Sequence, residues 1–115
     1  MSPREVNKYL FDILEAGDLI ARFTRKKSFQ DYCSDPLLRS AVERQFEIIG
    51  EALSQALKLD PGLQNSISAT PQIIAFRNRL IHGYTDVSDQ LVWGVIESDL
   101  PKLRREVGKI LNHEK

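Results

Sequence analysis

The chain is predicted to be all-α, an antiparallel helical bundle of four main helices, and three observations predict it. Apolar residues recur at helical spacing along most of the 115 residues. Helix-start signals, a polar cap followed by proline, stand at Ser2-Pro3, Asp35-Pro36 and Thr70-Pro71. No stretch alternates like a strand, and neither an internal repeat nor a linker divides the sequence, so residues 1–115 are expected to form one domain.

Each element follows from local signals. Ser2-Pro3-Arg4-Glu5 has the form of a capping box, with Glu5 able to bond back to Ser2. The stripe Val6, Leu10, Ile13, Leu14, Ile20 and Phe23, widened by Tyr9 and Phe11, carries the first helix to about Arg25. Gly17 inside it is a soft spot or a close helix contact. A short turn from Phe29 to Cys33, capped by Ser28, is expected next. From Asp35-Pro36, Leu38, Ala41, Val42, Gln45, Ile49, Ala52, Leu53 and Ala56 keep period to about Lys58, and Asp60-Pro61-Gly62 stops the helix. Leu63 to Ala69 is expected as loop. Thr70 as N-cap and Pro71 as first residue open a helix running to His82, with Gly83 as a left-handed stop. After a polar turn, Asp86 or Ser88 caps a last helix whose buried stripe includes Leu91, Val92, Val95, Ile96, Leu100, Leu103 and Val107. Pro101 lacks an amide proton and its ring clashes with the Glu97 carbonyl, so this helix should kink or break near Ser98-Asp99. Trp93 is expected to pack, in the core or at a subunit contact.

Composition excludes several classes. Hydrophobic residues at 42% and charged ones at 28% are ordinary globular values, not those of a disordered or membrane chain. Apolar runs fall short of the roughly 18 residues of a spanning helix, and Met1–Glu5 lacks the hydrophobic region of a signal peptide, so a cytoplasmic protein is expected. Cys33 is alone, which removes an intramolecular disulfide and a cysteine zinc site, and no metal or cofactor is called for. Sixteen basic residues balance sixteen acidic ones, so any nucleic-acid contact must be local. Lys26 and Lys27 belong to the densest basic cluster, residues 22–27, which is either such a contact or a solvated helix end favoured by its dipole.

The chemistry gathers in Arg77-Asn78-Arg79-Leu80-Ile81-His82-Gly83-Tyr84, where polar side chains interrupt a helix bearing Ile73, Ile74, Phe76, Leu80 and Ile81. Residues 77 and 82 stand about 140° apart around the axis and about 7.5 Å along it. They are not simple neighbours, but a long arginine and a histidine in the last turn can both reach one phosphate. Arginine supplies a permanent planar charge and histidine a proton near neutral pH. Glu43, Glu47 and Glu51 recur every four residues on the second long helix. Either they form a solvated face with Arg39, Arg44 and Lys58, or Glu47 or Glu51 faces Arg77 or Arg79 across the bundle and orients it. Arg79 is expected to face solvent or RNA.

These residues resemble the Arg-x4–6-His motif of HEPN-domain ribonucleases, and with Tyr84 two residues after His82 they are similar to the Arg-x4-His-x-Tyr motif of HepT-like toxins. Ala41 to Ala52, Val92-Trp93 and Asp99 to Leu103 resemble further blocks of that family, so the likeness spans roughly residues 5 to 112. The resemblance implies a HEPN-like bundle and a metal-independent endoribonuclease with Arg77, Asn78 and His82 as catalytic residues, its substrate tRNA or mRNA. It implies a homodimer with a shared cleft, and as partner a minimal nucleotidyltransferase antitoxin, MntA, that attaches AMP to Tyr84, which requires an exposed hydroxyl. Two competing expectations stand beside it. A non-catalytic dimeric adaptor binding a nucleotidyltransferase or nucleotide would use the motif as fold support, and a purely structural bundle would pack His82 away from solvent.

Overall fold

The framework starts from the apolar stripe of the first helix, and a computed structural model describes residues 3–83 and 87–113. In α1 (Pro3–Thr24) the stripe Val6, Leu10, Ile13, Ala16 and Ile20 is buried. It meets Val42, Phe46, Ile49, Leu53 and Ala56 of α3 (Pro36–Leu59), with the start of α1 beside the end of α3, so the two run antiparallel. Gly17 is a close helix contact: a Cβ there would sit 3.1 Å from Arg104 Cγ of α6 (Leu100–His113), while Arg104 pairs with Asp18 at 2.9 Å.

Between α1 and α3, α2 (Phe29–Ser34) is short and fixed by its cap. The Asp31 N–H donates to Ser28 Oγ at 3.1 Å and the Ser28 N–H to Asp31 Oδ2 at 2.8 Å, a capping box that holds the Asp31 carboxyl below its ordinary pKa. Asp35 caps α3 as expected, accepting from the Leu38 N–H at 3.1 Å. Tyr32 is fully buried, and both it and Phe29 pack on Trp93 of α5 (Asp89–Gly94), with centroids 5.6 Å and 6.2 Å away. Ser88 caps α5 through the Leu91 N–H. The expected caps at Ser2 and Asp86 lie outside the described residues.

Three local expectations are corrected and a fourth is given its form. Residues 63–69 are not plain loop: a 3₁₀ helix spans Pro61–Asn65, and Leu63, Ile67 and Ala69 are buried. These three side chains join the core cluster, and Ser68 ties the segment to α6 by donating twice to Glu106 Oε1. Thr70 is the first residue of α4 (Thr70–His82) and not its N-cap. Its buried hydroxyl donates backward to the Ile67 carbonyl at 2.7 Å. Gly83 ends α4 at φ −134°, outside the left-handed region, its N–H still donating to the Arg79 carbonyl at 2.9 Å as in the helix. The disturbance expected before Pro101 takes the form of a π-helical turn over Val95–Asp99, in which the Leu100 N–H bonds the Val95 carbonyl. The widened turn accommodates the proline ring while the backbone stays helical on either side. Among the described residues there is no strand, and no helix is long and apolar enough to cross a membrane.

Candidate functional site

Helix α4 packs on α3, with Phe46 and Phe76 edge to face at 5.1 Å. Where the helices approach, Gly50 faces the stem of Arg77. A Cβ on Gly50 would overlap Arg77 Cβ and Cγ, so the arginine stem occupies the space that any larger residue would fill. The guanidinium is thereby steered along α3. Its Nη2 donates to Glu51 Oε2 at 2.7 Å, and its Nη1 to Asn78 Oδ1 at 3.0 Å. Gln55 donates to the other Glu51 oxygen at 3.2 Å. Arg77 Nε is buried without a partner, so the charged head presents its Nη end outward, with the side chain 24% exposed. Arg77, Asn78 and Glu51 are thus brought together.

The other predicted residues are placed less tightly. His82 lies in the last turn of α4 and is exposed, next to Ile81, itself 40% exposed; it is not packed away, as a purely structural bundle would require. Arg79 is exposed. Glu47 pairs with Arg44 at 3.2 Å on α3. Lys26 and Lys27 are exposed just beyond α1, Lys26 at φ 61°, and no contact among the described residues joins them to Arg77. Tyr84 lies outside the described residues. No group of three His, Cys, Asp or Glu side chains among the described residues could hold a metal ion.

A second polar cluster joins α2, α3 and α5. Arg39 donates to the Cys33 carbonyl and stands 3.9 Å from Asp89. Burial, then the nearby Asp89 carboxylate, pushes the Glu43 carboxyl above its ordinary pKa, and burial does the same to the Cys33 thiol.

The family model described as "Ribonuclease HepT-like" matches residues 13–110. This chain belongs to that family. Among its curated relatives, "Putative RNase MJ1380" of Methanocaldococcus jannaschii is 34% identical over 109 residues, covering 93% of this chain and 97% of that one. "Probable ribonuclease HepT" of Thermococcus cleftensis is 35% identical over 107 residues, 93% and 96% of the two chains. "Putative RNase TTE0752" of Caldanaerobacter subterraneus is 34% identical over 109 residues, 93% and 95%. No solved structure matches.

Within this HepT-like chain, the residues that sequence reasoning missed are Gly50 and Gln55. Gly50 carried a signal: a glycine inside an otherwise strong helix costs about 1 kcal/mol against alanine, which points to a close approach. Gln55 carried none, because its role depends on which carboxylate of the Glu43, Glu47, Glu51 series turns toward α4.

Proposed function

We propose that this HepT-like protein is a metal-independent endoribonuclease, the toxin of a toxin–antitoxin pair, acting on tRNA or mRNA as a homodimer. The observation that carries the reading is the fixing of Arg77 by Glu51 across two helices, with an exposed His82 at the end of the same helix. Arg77 would hold the scissile phosphate through its outward Nη groups and stabilise the charge that develops on the phosphorane-like transition state. Asn78, whose carbonyl oxygen accepts from Arg77, keeps its amide protons for a phosphate oxygen. His82 takes the proton from the attacking ribose 2′-hydroxyl or delivers one to the departing 5′-oxygen. The remaining proton transfer falls to water or to the second subunit of the dimer. The partner is a minimal nucleotidyltransferase of the MntA type that attaches AMP to Tyr84. Each added nucleotide brings negative charge and bulk beside Arg77 and His82, which neutralises the phosphate site and blocks RNA.

One observation favours a second reading, a non-catalytic dimeric adaptor that binds a nucleotidyltransferase or nucleotide: Arg77 already has protein partners, as a fold-supporting arginine would. Product analysis separates the two. Incubation of tRNA and mRNA with wild type, Arg77→Ala and His82→Ala should give 2′,3′-cyclic phosphate and 5′-hydroxyl ends from wild type alone. Intact RNA with every folded protein, Tyr84 being unmodified by mass spectrometry, would favour the adaptor.

A further inference from the structure

Along the seam between α1 and α3 lie two adjoining openings that share Tyr9. The inner one, about 220 Å³, is lined by Tyr9, Asp12, Arg44, Glu47 and Glu51, and the outer one, about 570 Å³, by Lys8, Tyr9, Gln55 and Lys58 among others. Glu51 belongs both to the inner opening and to the ion pair that holds Arg77, and Gln55 of the outer opening bonds Glu51. The seam therefore adjoins, through Glu51, the ion pair that holds Arg77.

Its charges alternate. Arg44 is taken by Glu47 and Arg77 by Glu51, so those pairs are internally balanced. What remains is Asp12 in the inner opening and the exposed Lys8 and Lys58 in the outer one, where Glu5 sits in the first turn of α1. From the Arg77–Glu51 pair outward come the Asp12 carboxylate beside the Tyr9 ring, then Lys8 and Lys58 with Glu5 near them. A nucleotide laid along it would set one phosphate at Arg77, its base on Tyr9 and the other phosphate at the lysines. A carboxylate repels phosphate but accepts hydrogen bonds from the amino groups of a base. Tyr9 is half-buried, anchored against the core and open on the seam. Lys8 Nζ stands 5.9 Å from its ring centroid, near the outer limit of cation–π attraction, so the ammonium can leave the ring for a phosphate.

We propose that this seam is an RNA subsite for the nucleotide next to the scissile phosphate, its base stacked on Tyr9 and bonded to Asp12, its outer phosphate held by Lys8 and Lys58. The proposal rests on the ribonuclease reading for the scissile position. Stacking on an aromatic face is tolerant of base identity, whereas Asp12 favours bases that carry an amino group, so uracil is the weakest occupant.

The test is the affinity of short single-stranded RNAs for the His82→Ala protein and for Tyr9→Phe, Tyr9→Leu and Lys8→Ala/Lys58→Ala variants made in it, by fluorescence anisotropy over a range of salt. Light scattering and thermal unfolding accompany each protein, and tRNA cleavage is measured in the His82 background. Tyr9→Leu should weaken binding about tenfold, with Tyr9→Phe close to the parent. The double lysine variant should lower the salt dependence of log Kd by about 0.7 for each phosphate that the lysines no longer neutralise. Substituting uracil for guanine throughout the RNA should weaken binding in the parent, and less so after Asp12→Asn. A folded Tyr9→Leu protein that binds RNA like its parent overturns the proposal, and so does a change in oligomeric state with unchanged RNA affinity, which would mean that a second copy covers the seam. If Tyr9→Leu does not fold, the exposed lysine pair decides, an unchanged salt slope being the contrary result. Cleavage indifferent to Tyr9 and the lysines removes the subsite and leaves the ribonuclease. Tyr9-dependent binding without cleavage by wild type does the reverse.

Discussion

Arg77 shows how little energy is needed to aim a side chain and how much depends on shape. Glu51 is 54% exposed, and an ion pair so open to water stabilises by about 1 kcal/mol at most. Its weight is directional: it draws the Nη end of Arg77 along α3 and, with Gln55 behind it, fixes one rotamer. Glu51→Gln should accordingly leave the melting temperature almost unchanged while lowering kcat for RNA cleavage, a split that unfolding and steady-state kinetics would record together. Gly50 is the opposite case. Alanine is the better helix former by about 1 kcal/mol, yet a methyl group there would overlap the Arg77 stem near its backbone, where it cannot swing away. Overpacking of that kind costs about 1–3 kcal/mol. Gly50→Ala is therefore expected to lower both stability and activity, in denaturant titration and in RNA cleavage, and an equally stable, fully active Gly50→Ala protein would refute the close approach.

At the scale of elements, the junction of α2, α3 and α5 places titratable groups where burial works against charge. Glu43 of α3 faces Asp89 of α5, with Glu47 adding repulsion and Arg39 opposing it, and the net effect is a raised pKa led by burial. A carboxyl whose folded pKa lies above its unfolded one contributes stability below the unfolded value, about pH 4, and loses it as pH rises through the folded value. Glu43→Gln should thus raise the melting temperature at pH 7, with the gain shrinking toward pH 4. A variant less stable than wild type at pH 7 would show that Arg39 outweighs burial. The same junction joins the short helices to the bundle, since Trp93 of α5 lies against Phe29 and Tyr32 of α2. Tyr32 keeps its hydroxyl buried without a partner, and burial raises its pKa far above the ordinary phenol value.

Over the whole molecule, what the sequence made legible was local. The all-α class, the start of α3 at Asp35-Pro36 and the capped turn at Ser28 follow from signals within a few residues of each other, and each is present. What escaped depends on tertiary neighbours. Leu63 and Ile67 are a single pair at i, i+4 spacing, too few to make a periodic run, so their burial emerges only once the core is there to receive them. The left-handed stop at Gly83 was read from residue type alone, and glycine takes φ of either sign. In the site, the resemblance singled out Arg77 and His82, and the carboxylate series left open a solvated face or Glu47 or Glu51 turned toward Arg77 or Arg79, but the choice of Glu51 for Arg77 depends on how α4 crosses α3 over Gly50. An RNA-cleaving site centred on Arg77 and His82 that needs no metal can be checked by cleavage of purified tRNA and total RNA in EDTA by wild type and His82→Ala, both shown to be folded by circular dichroism. Chelator-resistant cleavage by wild type, lost in the variant, is the expected outcome. Cleavage abolished by EDTA, or retained in full by His82→Ala, would contradict it.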